Sequence, residues 1–215
     1  MGNIYFYKLT RDDGGAPCVR NGILSLAICK PFIRASAKIG DMIFGFAANS
    51  LSPDNRLIYI ARVTGKLCDG EYYKMRRYQN RGDCIYKAVE DGFARRTDAK
   101  FHDSPENLVH DLGQAPRYER ANVLLSDDFR YFGDHGSADY KREFHRIMRA
   151  VEQLARGHRV HLSEILREEF ERLAADQWKQ VPRKVAGRPI QAPSHIACHR
   201  SRSCGVVPAS SDAGK

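Results

Sequence analysis

The densest run of apolar residues lies between positions 24 and 63, where Lys30-Pro31 and Gly40-Asp41 cut it into three pieces, each the length of a buried strand. Around these breaks the pattern predicts strands at 4–10, 23–29, 42–46 and 56–63, with Pro53-Asp54-Asn55 turning the chain so that the last two pair antiparallel. Proline has no N–H to donate, so Lys30-Pro31 ends the ladder and 32–38 reads as one short helical turn. A short helix over 69–81 sets Tyr72, Tyr73 and Tyr78 among Lys74, Arg76 and Arg77, and a short strand follows at 84–89. From 90 to 120 the chain is polar, contains Pro105 and Pro116, and predicts no regular element. So long a gap is unusual in a compact domain, which makes it either functional or structured in a way the pattern hides.

Strands at 121–126 and 129–133 flank Asp127-Asp128. The period then changes: Tyr140, Phe144, Ile147, Met148, Val151, Leu154 and Ala155 fall on one face of a helix over 139–156. Leu162, Ile165, Leu166, Phe170, Leu173, Ala174 and Trp178 repeat it over 163–178, with Ser163 as cap and Pro182 beyond the end. There is no internal repeat. The expected fold is α+β, a small mixed or barrel-like β-sheet packed against two C-terminal amphipathic helices. One domain over 1–180 is followed by a flexible basic tail over 184–215.

Composition changes this picture little. A chain of 215 residues with 42% hydrophobic content buries a core without disulfides, and the six scattered cysteines read as reduced thiols. The opening residues read as a strand rather than a leader and no apolar stretch is long enough to cross a membrane, so the expected setting is cytoplasmic. Charge is more informative. The net +9 divides into +7 over 1–100, −4 over 101–178 and +6 over 179–215, a basic half and a basic tail around an acidic middle.

The cations of the first half have two readings. Lys30, Arg34, Lys38, Arg62 and Lys66 either face phosphates or guard a sheet edge as solvated charges. Arg76 and Arg77, interleaved with Tyr72, Tyr73 and Tyr78, have the composition that stacks bases and neutralises phosphates; a helix burying its tyrosines gives the same string. Asp41, Asn49 and Ser50 fall near strand ends where a base pocket would lie, and turn chemistry explains Asp41 and Asn49 equally well.

For acid–base work the candidates are Asp12, Asp13, Asp41, Asp83, His102, His110, Asp127 and Asp128, with the adjacent aspartates reading as turn residues. Cys29, inside an apolar run, reads as a small packing residue rather than a nucleophile. His195, Cys198, His199 and Cys204 carry zinc-ligand chemistry at a spacing that fits no standard zinc pattern, so no metal is expected. Walker loops, dinucleotide fingerprints and deaminase motifs are missing from the sequence, and no motif implies a cofactor.

Leu26-Ala27-Ile28-Cys29-Lys30-Pro31, Ile33-Arg34, Ala37 and Gly40-Asp41, then Arg56-Leu57-Ile58-Tyr59, Gly82-Asp83-Cys84-Ile85-Tyr86 and Phe129-Arg130-Tyr131-Phe132-Gly133, resemble the second type of nucleotide-modification-associated domain of bacteria and phages. The resemblance spans about residues 4–155, and Arg34 lies inside its motif. A looser similarity, at Gly40-Asp41 before Met42-Ile43-Phe44, is to barrels of the EVE, ASCH and pseudouridine-synthase-associated type. The resemblance implies binding of nucleic acid or modified nucleotides in a DNA base-modification or phage-defence setting, with DNA-modification or defence proteins as partners. The alternatives are an enzyme acting on a modified base or nucleotide, and a protein-interaction module.

Overall fold

The computed structural model describes residues 2–155 and 157–191. In chain order the strands and helices of the first half are β1 (Ile4–Leu9), β2 (Cys18–Arg20), β3 (Ile23–Leu26), α1 (Pro31–Ser36), β4 (Met42–Ala47), β5 (Leu57–Arg62), β6 (Gly65–Leu67) and α2 (Glu71–Lys74). The second half comprises β7 (Tyr86–Val89), β8 (Gly92–Arg95), α3 (Pro105–Leu112), β9 (Val123–Ser126), β10 (Asp128–Tyr131), α4 (Tyr140–Glu143), α5 (His145–Gln153), β11 (His158–Arg159) and α6 (Glu164–Gln180).

The fold is α+β, as the pattern predicts. Its central sheet runs β10-β5-β4-β1-β11 and is mixed, β1 pairing parallel with β4 while β4 and β5 pair antiparallel. A second sheet runs β2-β3-β9-β6, and β7 and β8 form a hairpin. These sheets are open, so of the two expected descriptions the mixed sheet is the correct one and the barrel is not.

The apolar runs of β1, β4 and β5 are continuous because both faces are covered. One face carries Phe6, Phe44 and Phe46, which meet Phe170 of α6 at ring separations of 5.1, 4.7 and 6.4 Å. The other carries Tyr5, Tyr7, Ile43 and Ala61 and packs against Leu24 and Leu26 of β3 and Leu124 of β9. A third cluster, built from Tyr72, Tyr73, Tyr86 and Leu112, abuts Ala27 and Ile28 just beyond β3.

Several expectations shift. The helix over 139–156 is two helices, α4 and α5, broken at Phe144 (φ −107°, ψ 69°). The break follows from a tertiary cap: the Glu169 carboxylate of α6 accepts the N–H groups of Arg146 and Ile147 at 3.1 and 3.2 Å, satisfying donors that open α5. Ser163 caps α6 as expected, its Oγ accepting from the Leu166 N–H. The polar stretch 90–120 holds β8 and α3. Lys184 and Ala186 hydrogen-bond to Tyr131, and Ile190 and Gln191 to Asp12, so the chain stays bonded to the sheet region as far as Gln191. His195, Cys198, His199 and Cys204 lie outside the described residues.

Candidate active site

Beyond β3 the chain makes an abrupt turn. Cys29 and Lys30 both take left-handed backbone angles, φ 56° and 43°, and Pro31 then starts α1 with its φ already suited to a helix. Two successive residues with side chains in this region are costly and persist only where surroundings hold them. Those surroundings are specific. The Cys29 N–H donates to Asp111 Oδ1 at 2.8 Å, and the Cys29 carbonyl accepts from Arg34 Nε at 2.7 Å.

Asp111 is fully buried near the end of α3. Its Oδ2 accepts from His102 Nδ1 at 2.5 Å and from the Tyr86 hydroxyl at 2.8 Å. The other ring nitrogen of His102, Nε2, lies 3.2 Å from Cys29 Sγ. A thiol, an imidazole and a carboxylate therefore stand in line, each within hydrogen-bonding reach of the next, the arrangement of a nucleophile, its base and the group that orients the base. The Asp111 carboxylate, with a second contribution from Cys29, raises the His102 pKa to about 10 against an opposing effect of burial, so the ring is an imidazolium at neutral pH.

The triad opens on a cavity of about 460 Å³ whose wall includes Tyr7, Arg11, Asp13, Lys30, Phe101 and Asn107. Lys30 sits over the Tyr7 ring at 4.7 Å, and burial pulls its ammonium below the usual lysine range.

Of the cations expected to face phosphate, Lys30 reaches this cavity and the others are dispersed. Arg34 is a correction: it is fully buried, and besides Cys29 its guanidinium donates to the carbonyls of Asp111 (2.7 Å), Arg120 (2.9 Å) and Asn122 (2.5 Å), which leaves it inaccessible to a ligand. It also stands 3.8 Å from Asp111 Oδ1, so one side chain ties together both ends of the triad. Lys66 donates to the Ala35 and Ala37 carbonyls at the end of α1. Arg62 pairs with Asp128 at 3.1 Å, while Lys38, Arg76 and Arg77 are exposed, with Arg77 over the Tyr78 ring.

The expected base pocket is corrected too. Tyr72 and Tyr73 are buried, donating to Asp83 Oδ1 and the Ala27 carbonyl, each at 2.7 Å. Asp41 accepts the N–H groups of Asn3 and Lys38 and so serves the turn, while Asn49 and Ser50 are exposed in the β4–β5 connection. Among the acid–base candidates, His102 enters the triad and Asp13 lines the cavity. Asp12 is engaged by Tyr131 and Ile190, Asp83 by Tyr72 and Ser25, and Asp128 by Trp178 and Arg62. Cys29, read as packing, is half-buried with its sulfur at His102. The sequence pattern gives Asp111 no role because it predicts no helix at 105–112, although Ser104-Pro105 is the sequence signature of a helix start.

Among the described residues no group of three or more His, Cys, Asp or Glu side chains is placed so that it could hold a metal ion, and no helix is long and apolar enough to cross a membrane. No curated protein and no solved structure matches the chain. The model of the family described as nucleotide modification associated domain 2 matches residues 1–195, covering β3, the Cys29 turn, His102 and α3 together. The chain is thus a member of the nucleotide modification associated domain 2 family.

Proposed function

We propose that this protein is a thiol-dependent acyl-transfer enzyme whose substrate is a nucleotide, free or within nucleic acid, bearing an acyl-type substituent on its base, and that it works in a DNA base-modification setting. The observation that carries this reading is the line from Cys29 Sγ through His102 to Asp111 at the wall of a cavity large enough for one nucleotide-sized group. The family's association with nucleotide modification supports the substrate class.

In this reading Cys29 acts as the thiolate with the proton held on His102. The sulfur attacks the acyl carbon, forming a C–S bond. The bond to the leaving nitrogen or oxygen breaks as His102 Nε2 delivers its proton to that atom, leaving a thioester and a neutral imidazole. Water, or an amine acceptor, gives a proton to Nε2 as it adds to the thioester carbonyl. The thiolate then departs and the imidazolium is restored. Lys30 and Asn107 offer polar groups on the wall of the same cavity.

The test uses a generic acyl donor. Incubation with p-nitrophenyl acetate followed by peptide mass spectrometry should find acetyl on Cys29, with label lost in Cys29→Ala and strongly reduced in His102→Ala. Iodoacetamide should alkylate Cys29 faster in the wild type than in His102→Ala, because Nε2 of the ring stands 3.2 Å from the sulfur. A Cys29 rate indifferent to His102→Ala, with no acetyl found on the sulfur, would overturn the proposal.

A further inference from the structure

Beside the Cys29 cavity runs a second, larger concavity of about 760 Å³, and Asp13, Lys100 and Phe101 line both. Its walls come from the β2–β3 hairpin, the loop after the Arg76–Tyr78 turn, and residues 96–101, closed on one side by Arg188 and Pro189. Arg20, Arg81, Arg96, Lys100 and Arg188 contribute five cations, against the carboxylates of Asp13 and Asp98.

Arg81 is committed to the fold. Its guanidinium donates to the Arg20, Cys18 and Ile23 carbonyls and to Ser25 Oγ, and it pairs with Asp83. Among the described residues the remaining four have exchangeable partners or no ion-pair partner. Arg20 donates to the Asn80 carbonyl, and Arg96 holds Asp98 at 3.2 Å in an exposed pair of the kind that contributes little and yields readily to phosphate. Lys100 and Arg188 are exposed and make no ion pair among the described residues. Asp13 spends one oxygen on the Gly15 N–H. At the junction of the two spaces stands the half-buried ring of Phe101, in a segment clamped by Arg95, which donates to the Ala99 carbonyl at 2.7 Å and the Phe101 carbonyl at 3.1 Å.

We infer that this groove is the track of a single-stranded nucleic acid, with Arg20, Arg96, Lys100 and Arg188 facing its phosphates and Phe101 stacking a base beside the one presented to Cys29. The inference rests on the nucleotide reading of the cavity and extends it from a nucleotide to a strand. A free nucleotide fills the first space and leaves the second, larger and cationic one without a role. A polyanion with a phosphate at every unit uses both, in the combination of cations and aromatic surface that strand-binding proteins share. A base stacked in a duplex cannot enter a cavity walled by Tyr7 and Phe101, so the strand is single or locally opened.

Fluorescence anisotropy of a short labelled single-stranded oligonucleotide, titrated with the Cys29→Ala protein, separates this inference from the acyl-transfer proposal, because binding is read without chemistry. Affinity should fall with salt. The Arg20→Gln, Arg188→Gln double variant should bind about tenfold more weakly at low salt and lower the log–log salt slope by about 0.7 for each phosphate that is no longer neutralised. The same two charges removed elsewhere, by Arg142→Gln with Arg149→Gln on exposed helical positions, should change the slope less. Circular dichroism melting establishes that each variant is folded. A strand bound no more tightly than the corresponding mononucleotide, or an unchanged affinity and slope in the groove variant, overturns the strand track even where Cys29 is acylated as proposed.

Discussion

Asp111 holds the backbone of Cys29 as well as the imidazole that faces its sulfur. Oδ1 accepts the Cys29 N–H at 2.8 Å while Oδ2 accepts from His102 Nδ1 at 2.5 Å, so one buried carboxylate fixes the position of the nucleophile and the orientation of its base. Every donor on this carboxylate comes from a different segment: the turn after β3, the loop before α3, and β7 through Tyr86. Asp111 thus bonds both to the residue that carries the sulfur and to the ring, while Arg34 holds the Cys29 carbonyl from the other side.

Asp111→Asn tests that arrangement. The amide keeps one acceptor oxygen but turns an NH₂ group toward either the Cys29 N–H or the His102 N–H, leaving a buried donor unpaired at a cost of about 1–3 kcal/mol. The His102 pKa should drop from about 10 toward its ordinary value, as followed by NMR titration of the ring. Alkylation of Cys29 at neutral pH should slow in parallel. An unshifted ring would mean that Asp111 does not govern it.

The raised His102 pKa also fixes how stability responds to pH. The folded value, about 10, lies above the unfolded one near 6.5. Its stabilising contribution is therefore fully present below the unfolded value and is lost as pH rises through the folded one. Urea denaturation should show wild type losing stability from near neutral pH toward about pH 10, by on the order of 1 kcal/mol once solvent screening of a partly exposed ring is allowed for. His102→Ala should lack that part of the decline.

Arg34 should matter to stability and not to ligand charge. Arg34→Lys keeps the cation but replaces a planar fork with a point charge, which cannot serve four carbonyls on three segments. Unfolding free energy should fall by about 2–4 kcal/mol. Where the variant remains folded, the salt slope of oligonucleotide binding should match wild type. A reduced slope would put Arg34 back among the residues that face phosphate.

How these residues read in the sequence follows from what each is bonded to. The strands β1, β4 and β5 and the helix α6 are legible because their burial repeats along the chain itself. The break at Phe144 is not, since it depends on Glu169 arriving from another helix. Arg34 looks like a ligand because arginines are usually exposed, and its partners are backbone carbonyls, which leave no mark in a pattern of side chains. Cys29 looks like core because the strand that delivers it is core; the informative feature is its place before Lys30-Pro31, where an apolar run meets a helix start. His102 is visible as a residue type, but its pairing with Asp111 required α3, a helix of only 8 residues set in a long polar stretch, too short for its period to stand out.

The turn that presents the sulfur carries a cost of its own, and two variants isolate it. Cys29→Ala and Cys29→Gly both remove the thiol, so neither retains its interaction with His102 and they differ mainly in the backbone. At φ 56° a Cβ crowds the neighbouring carbonyl, whereas glycine occupies this region freely. If the turn is held in a strained state by Asp111 and Arg34, Cys29→Gly should be the more stable of the two by about 1 kcal/mol in denaturant titrations, even though glycine loses more entropy on folding. Equal stability would mean that the left-handed turn costs nothing beyond what glycine's entropy offsets, and that Asp111 and Arg34 merely decorate it. A clear gain for glycine would mean that a residue with a side chain is retained at this position against the preference of the backbone, which is the behaviour expected where the side chain has work to do.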